Sequence, residues 1–135
     1  MATKMFLNLP VEDLNNSIEF FTKLGYTFNQ QFTNENATCM IISEDIYVML
    51  LVRPFFKSFI TKEIADTKTS VEAITCLSAD SKELVDQMIS KAIDAGGTTY
   101  REPQDMGFMY SHAYQDLDGH LWEIVWMDPA AVNPA

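Results

Sequence analysis

The stretch MYSHAYQDLDGHLWEIVWM, residues 109–127, reads as two strands joined at Asp116-Leu117-Asp118-Gly119. Asp at the first and third positions and Gly at the fourth suit a type I turn followed by a left-handed residue, a three-residue loop with a bulge. That loop length sets the pairing, with Ala113 opposite Glu123 and Tyr114 opposite Trp122. A two-residue loop would instead put His112 opposite Glu123, because a slip of one residue exchanges the faces. Along the second strand Leu121, Glu123 and Val125 share one face while Trp122, Ile124 and Trp126 share the other. Glu123 is therefore a carboxylate in the middle of an apolar strand, which is costly unless something pairs with it.

Upstream of this hairpin lie a predicted strand (Val71 to Ser78), Asp80 as a helix cap, and an amphipathic helix. Leu84, Val85, Met88, Ile89, Ala92 and Ile93 recur there as one apolar stripe, and Gly96-Gly97 closes the helix. The same order occurs earlier: a strand from Met5 to Val11, Asp13 as cap, a helix with Leu14, Ile18, Phe21 and Leu24 ending at Gly25, and three strand-like runs ending at Val52. A repeated order of elements is the mark of a duplicated unit, here β-α-β-β-β. The expected fold class is α+β, two βαβββ modules forming one curved, cup-shaped mixed sheet with helices on the outer face. Its boundaries are module one at about 5–52, a linker or lid at 53–70, module two at about 71–127, and a tail at 128–135, all within one domain of 135 residues. The concavity is where a small molecule would bind.

Composition narrows the function. With 47% hydrophobic residues and no low-complexity stretch, the chain is able to bury a real core. The net charge of −10 and the scattering of its nine Lys and Arg argue against nucleic acid as a partner. The longest apolar run, Ile46 to Val52, is far short of the roughly 20 residues of a membrane span, and Met1 to Lys4 open no signal peptide, so the expected location is cytoplasmic with no membrane partner. Cys39 and Cys76 have no metal-type spacing and are expected to be buried thiols. No phosphate loop, Ser-His-Asp arrangement or CxxC is present.

The segment Arg53 to Ser70 has no counterpart in the other half. Pro54 is positioned to start a short helix whose Phe55 and Phe56 either seal one edge of the core or close over a bound apolar molecule. His120, next to the turn and opposite in face to Glu123, is expected at the surface or stabilising the hairpin. His112 would form a general acid/base couple with Glu123 only in the two-residue-loop register.

The doubled order, the Asp116-x-Asp118-Gly119 turn and a Glu four residues after Gly119 resemble the vicinal oxygen chelate superfamily, which holds glyoxalase I, extradiol dioxygenases, fosfomycin-resistance enzymes and bleomycin-binding proteins. Residues 105–110 and 118–128 are similar to a bacterial branch described only as glyoxalase-like. The resemblance implies a divalent ion in the cup, Zn, Ni, Fe or Mn, held from the first and last strands of each module. Counting back from Asp13 puts Phe6 at one ligand position and counting back from Asp80 puts Ala73 at another, with Met49 and Glu123 at the remaining two. Three of the four carry no suitable donor, so no cofactor is expected. The implied function is binding of a small organic molecule in a cup lined by Phe6, Asn8, Met49 and Ala73 with Thr75, Ala113 and Glu123. The alternative is a metal-dependent lyase, isomerase or dioxygenase, lactoylglutathione-lyase-like, with Glu123 as ligand or base. A third reading has Glu123 only satisfying buried groups. Dimerisation is common in the superfamily, and the apolar positions of 53–70 and of the 130–135 tail would supply a homodimer contact.

Overall fold

The structure is a computed structural model in which residues 2–131 are described; the expected tail contact lies in part outside them. The chain divides into two compact units, Met1–Ala65 and Asp66–Ala135.

In the first unit β1 (Met5–Val11) leads through α1 (Leu14–Lys23) to β2 (Thr27–Asn29), a 3-10 turn (Gln30–Phe32), β3 (Ala37–Ile41), β4 (Ile46–Val52) and α2 (Arg53–Lys57). The strands form one four-stranded sheet in the order β1-β4-β3-β2, with β1 parallel to β4 and the other neighbours antiparallel. Asp13 caps α1 by accepting a hydrogen bond from the Asn16 amide at 3.0 Å, and Gly25 ends it with a φ of 105°. The buried side of α1 carries Leu14, Ser17, Phe20 and Phe21, so the apolar stripe is turned slightly from the expected one and Ile18 lies at its edge. Phe20 and Phe21 meet edge to face at 4.9 Å. Burial alternates along β4, where Val48 and Leu50 are inside and Tyr47 and Met49 are half-buried. At the far end α2 packs on β1 and β4, and there Pro10 and Leu51 are buried as well.

The second unit repeats the plan with β5 (Ile74–Ser78), α3 (Lys82–Asp94), β6 (Gln104–Asp105), β7 (Met109–Gln115) and β8 (Leu121–Met127), in the sheet order β5-β8-β7-β6. β5 runs parallel to β8 and the others are antiparallel. The fold class is α+β, two βαβββ modules, each with its own four-stranded mixed sheet. Among the described residues no helix is long and apolar enough to cross a membrane.

Three local expectations need correction. Ser81, not Asp80, caps α3: its backbone is extended and its Oγ accepts the Leu84 amide at 3.1 Å. The buried stripe of α3 is only Val85, Ile89 and Ala92, while Leu84 and Ile93 are 44% and 46% exposed. β5 begins at Ile74 because its parallel partner begins at Leu121, so residues before Ile74 have no strand to pair with.

The turn between β7 and β8 has the expected form. The Gly119 amide donates to the Asp116 carbonyl at 3.2 Å, the Asp116 amide to the His120 carbonyl at 3.0 Å, and Gly119 has a φ of 83°. Ala113 pairs with Glu123 and Tyr114 with Trp122. The buried Asp116 carboxylate binds the loop together: Oδ1 accepts the amides of Asp118 and His120 at 2.9 and 3.0 Å, and Oδ2 accepts the Trp122 indole N–H at 2.9 Å. Burial pushes this carboxyl above its ordinary pKa, against the pull of His120 and of those three donors. Thr67 Oγ1 donates to the Asp118 carbonyl, fastening the segment before β5 to the same loop.

A methyl group at Gly119 would meet Thr67 Oγ1 at 2.8 Å and the Thr67 carbonyl oxygen at 3.2 Å, whereas one at Gly25 would meet nothing within 4 Å. Both positions have positive φ. Gly25→Ala should therefore cost about 1 kcal/mol from backbone conformation alone. Gly119→Ala should cost on the order of 2 kcal/mol or more, since displacement of Thr67 is added. Urea unfolding of both variants checks the order; equal losses would remove Thr67 from the account.

Candidate functional site

The face of the second sheet that carries Glu123 follows from strand register. Cys76 and Ala113 pair with Glu123 on either side, Ile74 pairs with Leu121, and Ser111 pairs with Val125. The opposite face carries Trp122 and Ile124, both buried, and it is this side of β7 and β8 that α3 covers. Glu123 thus stands on the face away from the helix, with its side chain 27% exposed.

Its partner is Arg101, from the loop between α3 and β6. Nη2 of Arg101 lies 3.5 Å from Oε1 of Glu123 and donates to Ser111 Oγ at 3.3 Å, while Nη1 donates to the Glu102 carbonyl at 3.0 Å. The pair supplies the counter-charge that a mid-strand carboxylate requires. Sequence reasoning passes over Arg101, although one signal was available. The cations of the second compact unit are Lys68, Lys82, Lys91 and Arg101, and two of them lie on α3, behind the sheet.

Cys76 is a free and exposed thiol, not a buried one; only Cys39 is buried. With no element over this face of β5, a strand residue there stays open. Partial burial raises the Cys76 thiol pKa, Glu123 adds to the rise, and Arg101 opposes it. The Tyr100 phenol is raised in the same way, first by burial and then by Glu123, with Arg101 opposing and Cys76 adding a little. Tyr100, Arg101, Glu123 and Cys76 therefore form one electrostatic group.

Several expected site residues lie elsewhere. Thr75 pairs with Trp122 and belongs to the helix side of the sheet, and Ala73 precedes the strand. Both errors come from the cap: counting back from Ser81 replaces Ala73 with Ile74 and Thr75 with Cys76. Ala113 has the expected register but is 0% exposed, with its carbonyl taken by Thr99 Oγ1 at 2.8 Å, so it offers no surface to a ligand. His112 stands opposite Ile124, on the other face from Glu123, and its Nε2 lies 3.2 Å from the Arg101 carbonyl; the acid/base couple does not form. His120 takes the second of its two expected places, in the hairpin and not at the surface: its amide donates to Asp116 Oδ1 and its carbonyl accepts from the Asp116 amide, both at 3.0 Å. It is 3% exposed, with Nδ1 3.1 Å from Oε1 of Glu72. A carboxylate only accepts, so the imidazole proton sits on Nδ1.

In the first module Phe6, Asn8 and Met49 do share a face, where Asn8 pairs with Met49 and Phe6 with Tyr47. The Phe6 and Tyr47 rings stack at 5.0 Å, and Asn8 Nδ2 donates to the Phe6 carbonyl at 3.1 Å. Phe55 and Phe56 of α2 are half-buried, and Phe55 packs edge to face on Phe59 at 5.0 Å.

By register, Phe6 and Met49 in one module correspond to Ile74 and Glu123 in the other. Those residues do not fit a Zn, Ni, Fe or Mn ion, because a single carboxylate cannot replace the several N, O or S donors such ions take. Cys76 does not mend the set. With Glu123 it makes only two donors, among the described residues no group of three or more His, Cys, Asp or Glu converges, and Arg101 next to Glu123 would repel a cation.

Residues 3–43 match the family described as bleomycin resistance protein-like N-terminal. Among solved structures, the chain is similar to a hypothetical protein from S. aureus, at 27% identity over 93% of this chain and 95% of that one, with a TM-score of 0.80. A glyoxalase/bleomycin resistance protein/dioxygenase family enzyme from Burkholderia phytofirmans shares the fold at 15% identity, covering 93% and 99% of the two chains with a TM-score of 0.77. A glyoxalase-related enzyme from Fulvimarina pelagi does so at 16% identity, 93% and 88% coverage and a TM-score of 0.79. No curated protein matches the chain.

The ion pair can be separated from the fold energetically. Arg101→Met alone leaves the Glu123 carboxylate half-buried without a counter-charge and should lower stability by about 1–3 kcal/mol. Adding Glu123→Met should restore most of that loss, since Met49 already occupies the equivalent strand position in module one. Denaturant midpoints of the two singles and the double check this; strictly additive losses would show that the residues do not interact.

Proposed function

We propose that this protein, a member of the vicinal oxygen chelate superfamily by fold, binds a small organic molecule at the Glu123 face of its second module and does so without a four-ligand metal site. The observation that carries the reading is Glu123 itself. It is a half-buried carboxylate on the face of the sheet away from α3, with Arg101 as its counter-ion and acceptor capacity left over. A carboxylate so placed accepts hydrogen bonds from a donor that reaches the face, and exposed Ile74 beside it adds apolar surface. On the first module Phe6, Asn8 and Met49 share a mostly apolar face of their own sheet.

The setting that fits this reading is the cytoplasm, where a free exposed Cys76 stays reduced. Self-association belongs to it too. Phe59, 67% exposed, is apolar surface suited to a homodimer contact. Light scattering of the purified protein should give the dimer mass; a monomer at high concentration would remove this part.

Protein purified without chelator should carry well under one equivalent of Zn, Ni, Fe or Mn, and adding those ions should leave the melting temperature nearly unmoved, because a ligand stabilises a fold only as far as it binds the native state. Glu123→Gln should fold normally but lose most of the thermal shift produced by any small-molecule ligand found in a screen. One stoichiometric transition metal lost on Glu123→Gln would overturn the reading in favour of a metal-dependent enzyme.

A further inference from the structure

The Arg101–Glu123 pair presents a partly exposed cation and anion side by side on the sheet face away from α3, and that pairing selects a ligand. Among the described residues, neither Nε of Arg101 nor Oε2 of Glu123 makes a hydrogen bond, and the contact between the pair, at 3.5 Å, lies beyond a good N–H···O distance. Both side chains are reachable yet mostly dry, at 20% and 27% exposure. A ligand cation drawn to Glu123 would meet the guanidinium, and a ligand anion drawn to Arg101 would meet the carboxylate. Each arrangement puts like charges a few ångströms apart in a medium less polar than water. An uncharged group with an acceptor and a donor next to each other escapes both conflicts. Its carbonyl takes an N–H of the guanidinium fork, and its own N–H goes to Glu123.

Resting on the binding reading above, we propose that the ligand is an uncharged molecule with an amide-type edge, a primary carboxamide, lactam or cyclic imide, on an apolar body. Ile74 and Tyr100, 52% and 40% exposed, flank the pair and supply the surface for that body. The overall charge of −10 favours cations at long range. At physiological salt that field is screened within about 8 Å, so the pair decides the preference at contact.

Three probes of one shape separate the possibilities: benzamide (neutral, donor and acceptor), benzamidine (cation) and benzoate (anion), each titrated into isotope-labelled full-length protein at physiological salt and followed by amide chemical shifts. Benzamide should bind about tenfold tighter than either charged probe, with shifts at Arg101, Glu123 and Cys76, since a charged probe forfeits one hydrogen bond. Arg101→Gln should move the preference to benzamidine, and Glu123→Gln should move it to benzoate. Arg101→Lys, which keeps the charge but not the fork, should lower benzamide affinity without raising that for benzamidine, and it serves if Arg101→Gln fails to fold. A wild-type preference for a charged probe, or variants that weaken all three probes alike, would overturn the amide assignment while leaving the binding reading intact. Shifts from none of the three would overturn both.

Discussion

The second module depends on the buried carboxylate of Asp116. A charge in that position is expensive, and it is tolerated because three donors converge on it, two backbone amides of the turn and the Trp122 indole. By tying the loop to the first turn of β8, Asp116 and the left-handed Gly119 fix which residue of β7 faces which residue of β8. Everything at the candidate site follows from that choice. A slip of one residue would turn Glu123 toward α3 and Trp122 outward, exchanging a fully buried indole for a buried charge with no partner. Thr67 and the Glu72–His120 contact hold the incoming segment to the same loop, so the start of β5, and with it the place of Cys76, is set from the same end.

How far the sequence could be read depended on how local each determinant was. The turn lies within a few residues, so its chemistry alone predicts the hairpin register. The cap of α3 is harder. Asp80 and Ser81 are adjacent and both are good caps, so only the direction of the backbone distinguishes them. Choosing the wrong one moved every position counted back from it by one, and on a strand one residue means the other face. Arg101 could not be seen by pattern at all. Its partner is 22 residues away across a loop and two strands, and only the demand that Glu123 find a cation points to it. The exposure of Cys76 has another cause: cysteine spacing says nothing of which face of a strand is packed, and α3 covers this sheet on the face opposite Cys76.

The two modules, compared position by position, differ most at this point. Met49 stands where Glu123 stands, Asn8 where Cys76 stands, and Phe6 where Ile74 stands. Next to Met49 on β3 is buried Cys39; next to Glu123 on β7 is buried Ala113. The β-α-β-β-β scaffold thus accepts an unbranched apolar side chain in the middle of its last strand with no polar support. An ion pair in the same place needs more: an arginine carried on a loop, the Ser111 hydroxyl to hold it, and a backbone carbonyl to occupy another of its donors. Replacing such pairs by apolar residues is often neutral or stabilising. Packing alone therefore gives no reason for module two to differ from module one.

The pair also changes what the protein's acidity means. A lone Glu123 on a chain of net charge −10 would make a site for cations. Arg101 cancels that charge locally while leaving an acceptor on one side and donors on the other. What remains is a fixed dipole in a half-dry setting, and a fixed dipole discriminates by the arrangement of partners more than by their charge. For the ligand proposed above, recognition would turn on geometry already in place, because the guanidinium is held from behind by Ser111 and by the Glu102 carbonyl.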